Sequence, residues 1–524
     1  MKQRSPETDK LYDTILVLDF GGQYCHLIAR RVREHHVYSE IVSSNISPTQ
    51  IQTLQKQFTI KGIIFSGGPA SVYAEGAPTP HPEIFSLNIP ILGLCYGHQL
   101  IAKLFGGEVK QGKTREYGVA QASIEYFNDL FSGLDREEKV WMSHYDTVIT
   151  LPPDFKVLAR TKNCPIAAFS HRSNPIYGVQ WHPEVAHTPH GNQILQNFLF
   201  KICKCQANWN PVSLLDSLVT EIKEIVAEKN AIIGLSGGVD SSTATLLASR
   251  AIGQNLTAIF VDHGFMRKDE PQFVEKTFKA LGVNLFTIHA QDRFFTALQD
   301  VSDPEEKRII IGTEFIKVFE EKAAEIGAEY LIQGTIYPDR IESGFRDGSA
   351  KIKSHHNVSG IPPNIKFRAI VEPLRDLYKD EVRALATALG LSNELVCRQP
   401  FPGPGLAVRV IGEATPDRIK MLQQADEIVR EEIERVPEIN RRLWQYFAIL
   451  TNTQSTGVKG DARAYGWAIA VRIVESREAM TANFARIPYD VLEAISTRIT
   501  NEIPQITRVV YDITNKPPAT IEWE

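Results

Sequence analysis

The chain has 524 residues, too many for one hydrophobic core, and three domains are expected. Apolar residues make up 43% and charged residues 23%, ordinary for a globular enzyme, and the net charge of −5 argues against a nucleic-acid partner. No apolar run reaches the ~20 residues that span a bilayer, and MKQRSPETDK lacks the apolar core of a signal peptide, so a cytoplasmic protein without a membrane partner is expected.

Residues 1–13 read as a short disordered tail. From there to 205, short apolar runs alternate with helical patterns. TILVLDF (14–20), KGIIFSGGP (61–69), the start of PILGLCYGHQ and IYGVQWHPE (176–184) each read as a buried strand ending in a turn signal. The pattern breaks at NWNP and restarts after 206. Strand AIIGL (231–235), a glycine loop, a helix, strand LTAIFVDHG (256–264), a second helix and strand VNLFTIHA (283–290) form another α/β unit. PFPGPG (400–405) cannot be helical. Beyond it lie two helical stretches and the runs WAIAVRIVES (467–476) and TRVVYDIT (507–514). The fold class read here is α/β: two doubly wound α/β domains, 14–205 and 206–399, and a smaller α+β domain over 400–524. The six cysteines, at 25, 95, 164, 203, 205 and 397, form no CxxC pair, so no zinc or redox motif is suggested. Reduced thiols fit a cytosolic protein.

Cys95 lies in GLCYGHQ (93–99), where Gly93 and Gly97 flank it as in a sharp strand-to-helix turn. A cysteine at a helix N-terminus feels a field that favours thiolate. On this motif alone it is equally a reactive thiol or a small core residue. Two other pieces bear on the choice. HPE ends a predicted strand; alone it reads as a surface turn, but beside a thiol it offers His182 as a base with Glu184 to orient it. SGGP (66–69) follows another strand and frees a backbone N–H to face a cleft.

SGGP, GLCYGHQ and HPE in this order resemble the triad-type, class I glutamine amidotransferase family over about 190 residues. The resemblance implies Cys95 as nucleophile, His182 as base and acid, and Glu184 as its orienter. It also implies Gly68 and Tyr96 as oxyanion donors and Gln99 as a glutamine-binding residue. The expected reaction is attack on the glutamine side-chain amide, release of ammonia and hydrolysis of the thioester.

GLSGGVDSS (234–242) follows a strand and opens a helix, and is not a Walker A loop. Its glycines let backbone N–H groups approach phosphate oxygens at a helix N-terminus. Asp240 beside phosphates asks for a cation between, so Mg²⁺ is expected there. SGGVDSS resembles the PP-loop of the ATP pyrophosphatase family. That implies ATP bound by Ser236, Gly237, Gly238, Val239, Asp240, Ser241 and Ser242, and transfer of AMP to a substrate oxygen. One domain then makes ammonia and the other makes the electrophile that consumes it.

VDHGFMRK (261–268), GTIYPDRIES (334–343), KSHHN (353–357), PFPGPGLAVRV (400–410) and KPPATIEWE (516–524) resemble the glutamine-hydrolysing GMP synthetase family, which then covers essentially the whole chain. His263 and Arg340 depart from the common pattern. The resemblance implies glutamine, ATP and XMP as substrates, an XMP site with Arg267, Lys516, Ile521 and Glu522, and a homodimer through the C-terminal domain. Arg267 and Lys268 alone read equally as phosphate ligands or a solvated pair. Asp339 and Glu342 suit Mg²⁺ or sugar hydroxyls, and KSHHN with KFR (366–368) suits a loop closing over pyrophosphate, though alone it reads as merely mobile. In the terminal segment, Ile521 and Trp523 ask for burial. Ammonia must stay unprotonated, so a shielded route between domains is expected. Another acceptor for a PP-loop amidotransferase is one alternative. A non-catalytic protein on a decayed enzyme is the other, against which the full set of triad residues and the PP-loop argue.

Overall fold

The aliphatic run of Ile15, Leu16, Val17 and Leu18 is wholly buried, which is what a strand covered on both faces requires. In the computed structural model, which describes residues 12–344, 367–459, 462–476 and 481–524, that run lies in β1 (Asp13–Asp19). β1 therefore begins inside the stretch read as tail. The chain divides into two compact units that part between Asn210 and Pro211. The break read at 206 lies later because Trp209 is buried, its ring 5.0 Å from Tyr12 and 4.7 Å from Tyr38.

The first unit holds β2 (Tyr38–Ser43), β3 (Thr59–Phe65), β4 (Ile91–Leu94), β5 (Glu108–Ile124), β6 (Glu137–Thr150), β7 (Phe155–Thr161), β8 (Ala168–His171) and β9 (Ile176–Val179). With β1 they form a nine-stranded sheet in the order β2-β1-β3-β4-β9-β8-β7-β5-β6. Strands β2 to β9 along that order pair in parallel, and β8, β7, β5 and β6 continue it antiparallel. The carboxyl ends of the central parallel strands carry the motif residues, as open α/β sheets do.

The second unit begins with a five-stranded parallel sheet, β12-β11-β10-β13-β14. Its strands are β10 (Ala231–Gly234), β11 (Leu256–Asp262), β12 (Leu285–His289), β13 (Tyr330–Ile332) and β14 (Ala369–Val371). A second sheet is built on a long hairpin of β15 (Gln445–Lys459) and β16 (Ala462–Glu475). β17 (Asn483–Phe484) pairs antiparallel with β16, and β18 (Ile506–Asp512) pairs with it in parallel.

Helix starts follow capping chemistry. In Pro304–Ile326 the Asp303 side chain accepts from Glu306 N–H, Pro304 stands at the first turn, and Gly327 closes the other end at φ +66. In Pro416–Glu434, Thr415 accepts from Arg418 N–H. One core joins the two sheets: Ile232 and Ile259 belong to the same buried cluster as Leu422, Val429, Ile469 and Ile499. Truncating such a residue to alanine costs about 2–5 kcal/mol.

Candidate active site

Cys95 sits between β4 and a helix we label α1 (Tyr96–Leu104), with φ +51 and ψ −101. A non-glycine residue holds that conformation only where its surroundings fix it. Here its N–H donates to Val179 O on β9 at 2.9 Å, and Gly97 N–H donates to Ser66 O at 3.2 Å. The flanking glycines have a steric reason. A Cβ on Gly97 would lie 2.5 Å from Phe65 O, and one on Gly93 would lie 2.5 Å from Gly97 O. Cys95 Sγ faces Ser143 O at 3.7 Å and accepts from Gln180 Nε2 at 3.6 Å.

His182 follows β9, its N–H donating to Trp141 O at 3.1 Å and its carbonyl accepting from Thr188 Oγ1 at 2.7 Å. Nδ1 is 2.7 Å from Glu184 Oε1. Burial opposes charge on the imidazole, but the Glu184 carboxylate and then the Cys95 sulfur outweigh it, so its pKa stands well above the ordinary histidine value. Tyr24 packs edge-on against the ring at 5.1 Å. Gly67 leaves room where the two side chains approach: a Cβ there would be 3.3 Å from His182 Cε1 and 3.8 Å from Cys95 Cβ. Gly68 packs against Tyr96, and a Cβ on it would be 3.2 Å from Tyr96 Cγ. Among the described residues, the N–H groups of Gly68 and Tyr96 have no acceptor.

Gln99 stands one layer behind. Its Nε2 donates to Asp146 O at 2.7 Å and to Gln180 Oε1 at 3.1 Å, so its amide N–H groups are already committed. Gln180, not singled out from the sequence, is the amide that reaches the sulfur. The only sequence signal for it was its place at a strand end two residues before His182.

In the second unit, β10 runs into the loop and then into the helix α2 (Val239–Ile252), with Gly237 at φ +76 and Gly238 as N-cap. Ser241 Oγ ties the loop together, 2.9 Å from Ser236 Oγ and 3.2 Å from Ser236 N. Lys379 Nζ donates to Asp240 Oδ2. Asp240 Oδ1 is buried and has no partner among the described residues. Arg398 donates to Gly237 O at 3.3 Å and pairs with Glu270 at 2.8 Å. Lys379 and Arg398 come from distant parts of the chain, and no motif points to either. No group of three or more His, Cys, Asp or Glu suited to a metal occurs among the described residues.

A third group gathers on the second sheet. Arg267 is 3% exposed, 3.5 Å from Asp426, with its guanidinium 4.7 Å from the Phe401 ring. Burial brings its pKa down to about 10. Glu522 accepts from Arg409 Nε and Nη2 at 3.0 Å each and from Gln445 Nε2 at 2.8 Å. Ile521 is buried with Phe447 and Ile449. Trp523 is not buried as expected but 38% exposed, because its Nε1–H reaches Asp512 at 2.9 Å near the surface. Lys516 pairs its backbone with Ala482. His263 is buried and its pKa falls to about 4 through burial. Lys268 pairs with Glu427 at 2.7 Å, and Arg340 with Asp376. Asp339 accepts from Ile336 N–H at 3.2 Å. The side chain of Glu342, KSHHN and Lys366 lie outside the described residues.

Residues 16–202 match the family described as glutamine amidotransferase class-I, 212–313 that described as NAD synthase, and 431–523 the GMP synthase C terminal domain. The glutamine-hydrolyzing GMP synthase of Clostridium perfringens is 52% identical over 514 residues, spanning 98% of this chain and 100% of that protein. That of Caldanaerobacter subterraneus is 52% identical over 514 residues, spanning 98% of this chain and 99% of its own. No described helix is long and apolar enough to cross a membrane.

Proposed function

Since the chain belongs to the glutamine-hydrolysing GMP synthase family, and so is a ligase that makes GMP with glutamine as nitrogen donor and ATP as co-substrate, we propose how its residues divide that work. Cys95 passes its thiol proton to His182, and Sγ attacks the side-chain amide carbon of glutamine. His182 gives its proton to the leaving ammonia, then takes one from the water that hydrolyses the thioester. Glu184 holds the imidazole in place. The N–H groups of Gly68 and Tyr96 receive the oxyanion, and one such donor is typically worth ~10²–10³ in rate. Gln99 acts by holding Gln180 against the sulfur.

At the second centre, Ser236, Gly237, Gly238, Val239, Asp240, Ser241 and Ser242 cradle the ATP phosphates at the N-terminus of α2. The xanthine 2-oxygen of XMP attacks the α-phosphorus and pyrophosphate leaves. Ammonia then attacks C2, and AMP departs with that oxygen. Asp240 fits a cation ligand because its buried Oδ1 has no partner among the described residues. It would hold Mg²⁺, which supplies countercharge at the phosphates. Arg267, Lys516, Ile521 and Glu522 form the XMP site.

The single observation that carries this reading is the relation of Cys95 to the His182–Glu184 pair. The chain is also proposed to be a cytoplasmic homodimer. All six cysteines are free, and Tyr465, Tyr489 and Ile513 of the C-terminal sheet region are exposed. A separate domain from 400 rests on the change of sheet, since the core is continuous there. The chemistry is tested with XMP carrying ¹⁸O at C2. The label is expected in AMP, and label released to water instead would overturn the adenylation step.

A further inference from the structure

Lys307 is an unusual residue for its position. It lies in the first turn of Pro304–Ile326, where the helix field disfavours a cation, and its side chain is 0% exposed. A buried ammonium is costly unless its protons are satisfied. Here Nζ donates to Ala407 O at 3.1 Å and Val410 O at 2.7 Å, and Glu524 Oε2 lies 3.6 Å away. The neighbouring Arg308 donates to Glu524 O.

Those partners share a geometry. Ala407 and Val410 bracket Arg409, which is itself fully buried and grips Glu522 through two hydrogen bonds of 3.0 Å. Glu524 stands two residues beyond Glu522. Lys307 therefore fixes both the backbone that presents Arg409 and the terminal segment that Arg409 holds. Gln445 closes the circuit by donating to Glu522 and to Pro400 O at 2.9 Å. We infer that Lys307 is a positioning residue for XMP binding, acting through Arg409 and Glu524 to hold Glu522 and its neighbours in register. This rests on the proposed XMP site in the terminal segment. It assigns Lys307 no contact with a substrate.

The test is steady-state kinetics on the full-length Lys307→Met and Glu524→Gln variants, with Glu522→Gln as reference. Lys307→Met is expected to raise the KM for XMP about tenfold, while kcat at saturating XMP and the KM for ATP stay within about twofold. Glu524→Gln shifts the XMP KM in the same direction by less. A folded Lys307→Met with an unchanged XMP KM, or one that loses only kcat, overturns the inference while Glu522→Gln still raises that KM. If Lys307→Met does not fold, Glu524→Gln decides, and an unchanged KM there is equally fatal. Should Glu522→Gln leave the XMP KM unmoved, the terminal site itself is wrong and the inference falls with it.

Discussion

Glu184 Oε1 meets His182 Nδ1 at 2.7 Å, and this carboxylate, joined by the Cys95 sulfur, outweighs what burial would do to the imidazole. The group's raised pKa has a definite sign in stability. Its contribution is fully present below the unfolded pKa of about 6.5 and is lost as pH rises through the folded value. In Glu184→Gln, the carboxylate's share of that support is lost and the pKa falls. The stability gap between wild type and variant, read from urea midpoints, is expected to be widest near pH ~6 and to narrow at higher pH. The basic limb of glutamine hydrolysis moves to lower pH, with kcat down about 10²-fold. A gap that widens with rising pH would contradict this assignment.

Gly97→Ala probes the elbow. The new Cβ would start 2.5 Å from Phe65 O and 2.6 Å from Phe65 Cβ, so backbone must move. The expected cost is about 1–3 kcal/mol, with glutamine hydrolysis falling and ammonia-driven GMP formation kept. Denaturant midpoints and both activities check it. Unchanged glutamine kinetics would mean that the turn tolerates a methyl group and does not set the sulfur's position.

Asp240→Asn tests the cation. It keeps the shape of the loop but removes the charge that faces Lys379. Pyrophosphate release is expected to need more Mg²⁺ for half-maximal rate and to fall about 10²-fold, with glutamine hydrolysis unaffected. A magnesium titration identical to wild type would remove Asp240 from the cation's site.

Much of this is legible in the chain itself. GLCYGHQ and SGGVDSS work through backbone spacing that neighbouring residues dictate, so the elbow at Cys95 and the loop before α2 could be placed from the sequence. Gln180, Lys379, Arg398 and Arg409 were not placed because each reaches its partner through tertiary packing. Lys379 and Asp240 are 139 residues apart, and no periodicity joins them. Trp523 misled for a simpler reason: its indole N–H found Asp512, which holds the ring at the surface. Glu522 is expected at the XMP site, and the sequence holds no sign that Arg409 and Gln445 donate three hydrogen bonds to it.

The central claim is that one thiol liberates nitrogen and a separate loop captures it. Cys95→Ala, given ATP, XMP and Mg²⁺, tests it most directly, with either glutamine or ammonium salts as nitrogen source. GMP should form at near wild-type rate from ammonium and not at all from glutamine. Equal loss of both activities, or glutamine-dependent GMP from the variant, would contradict the account.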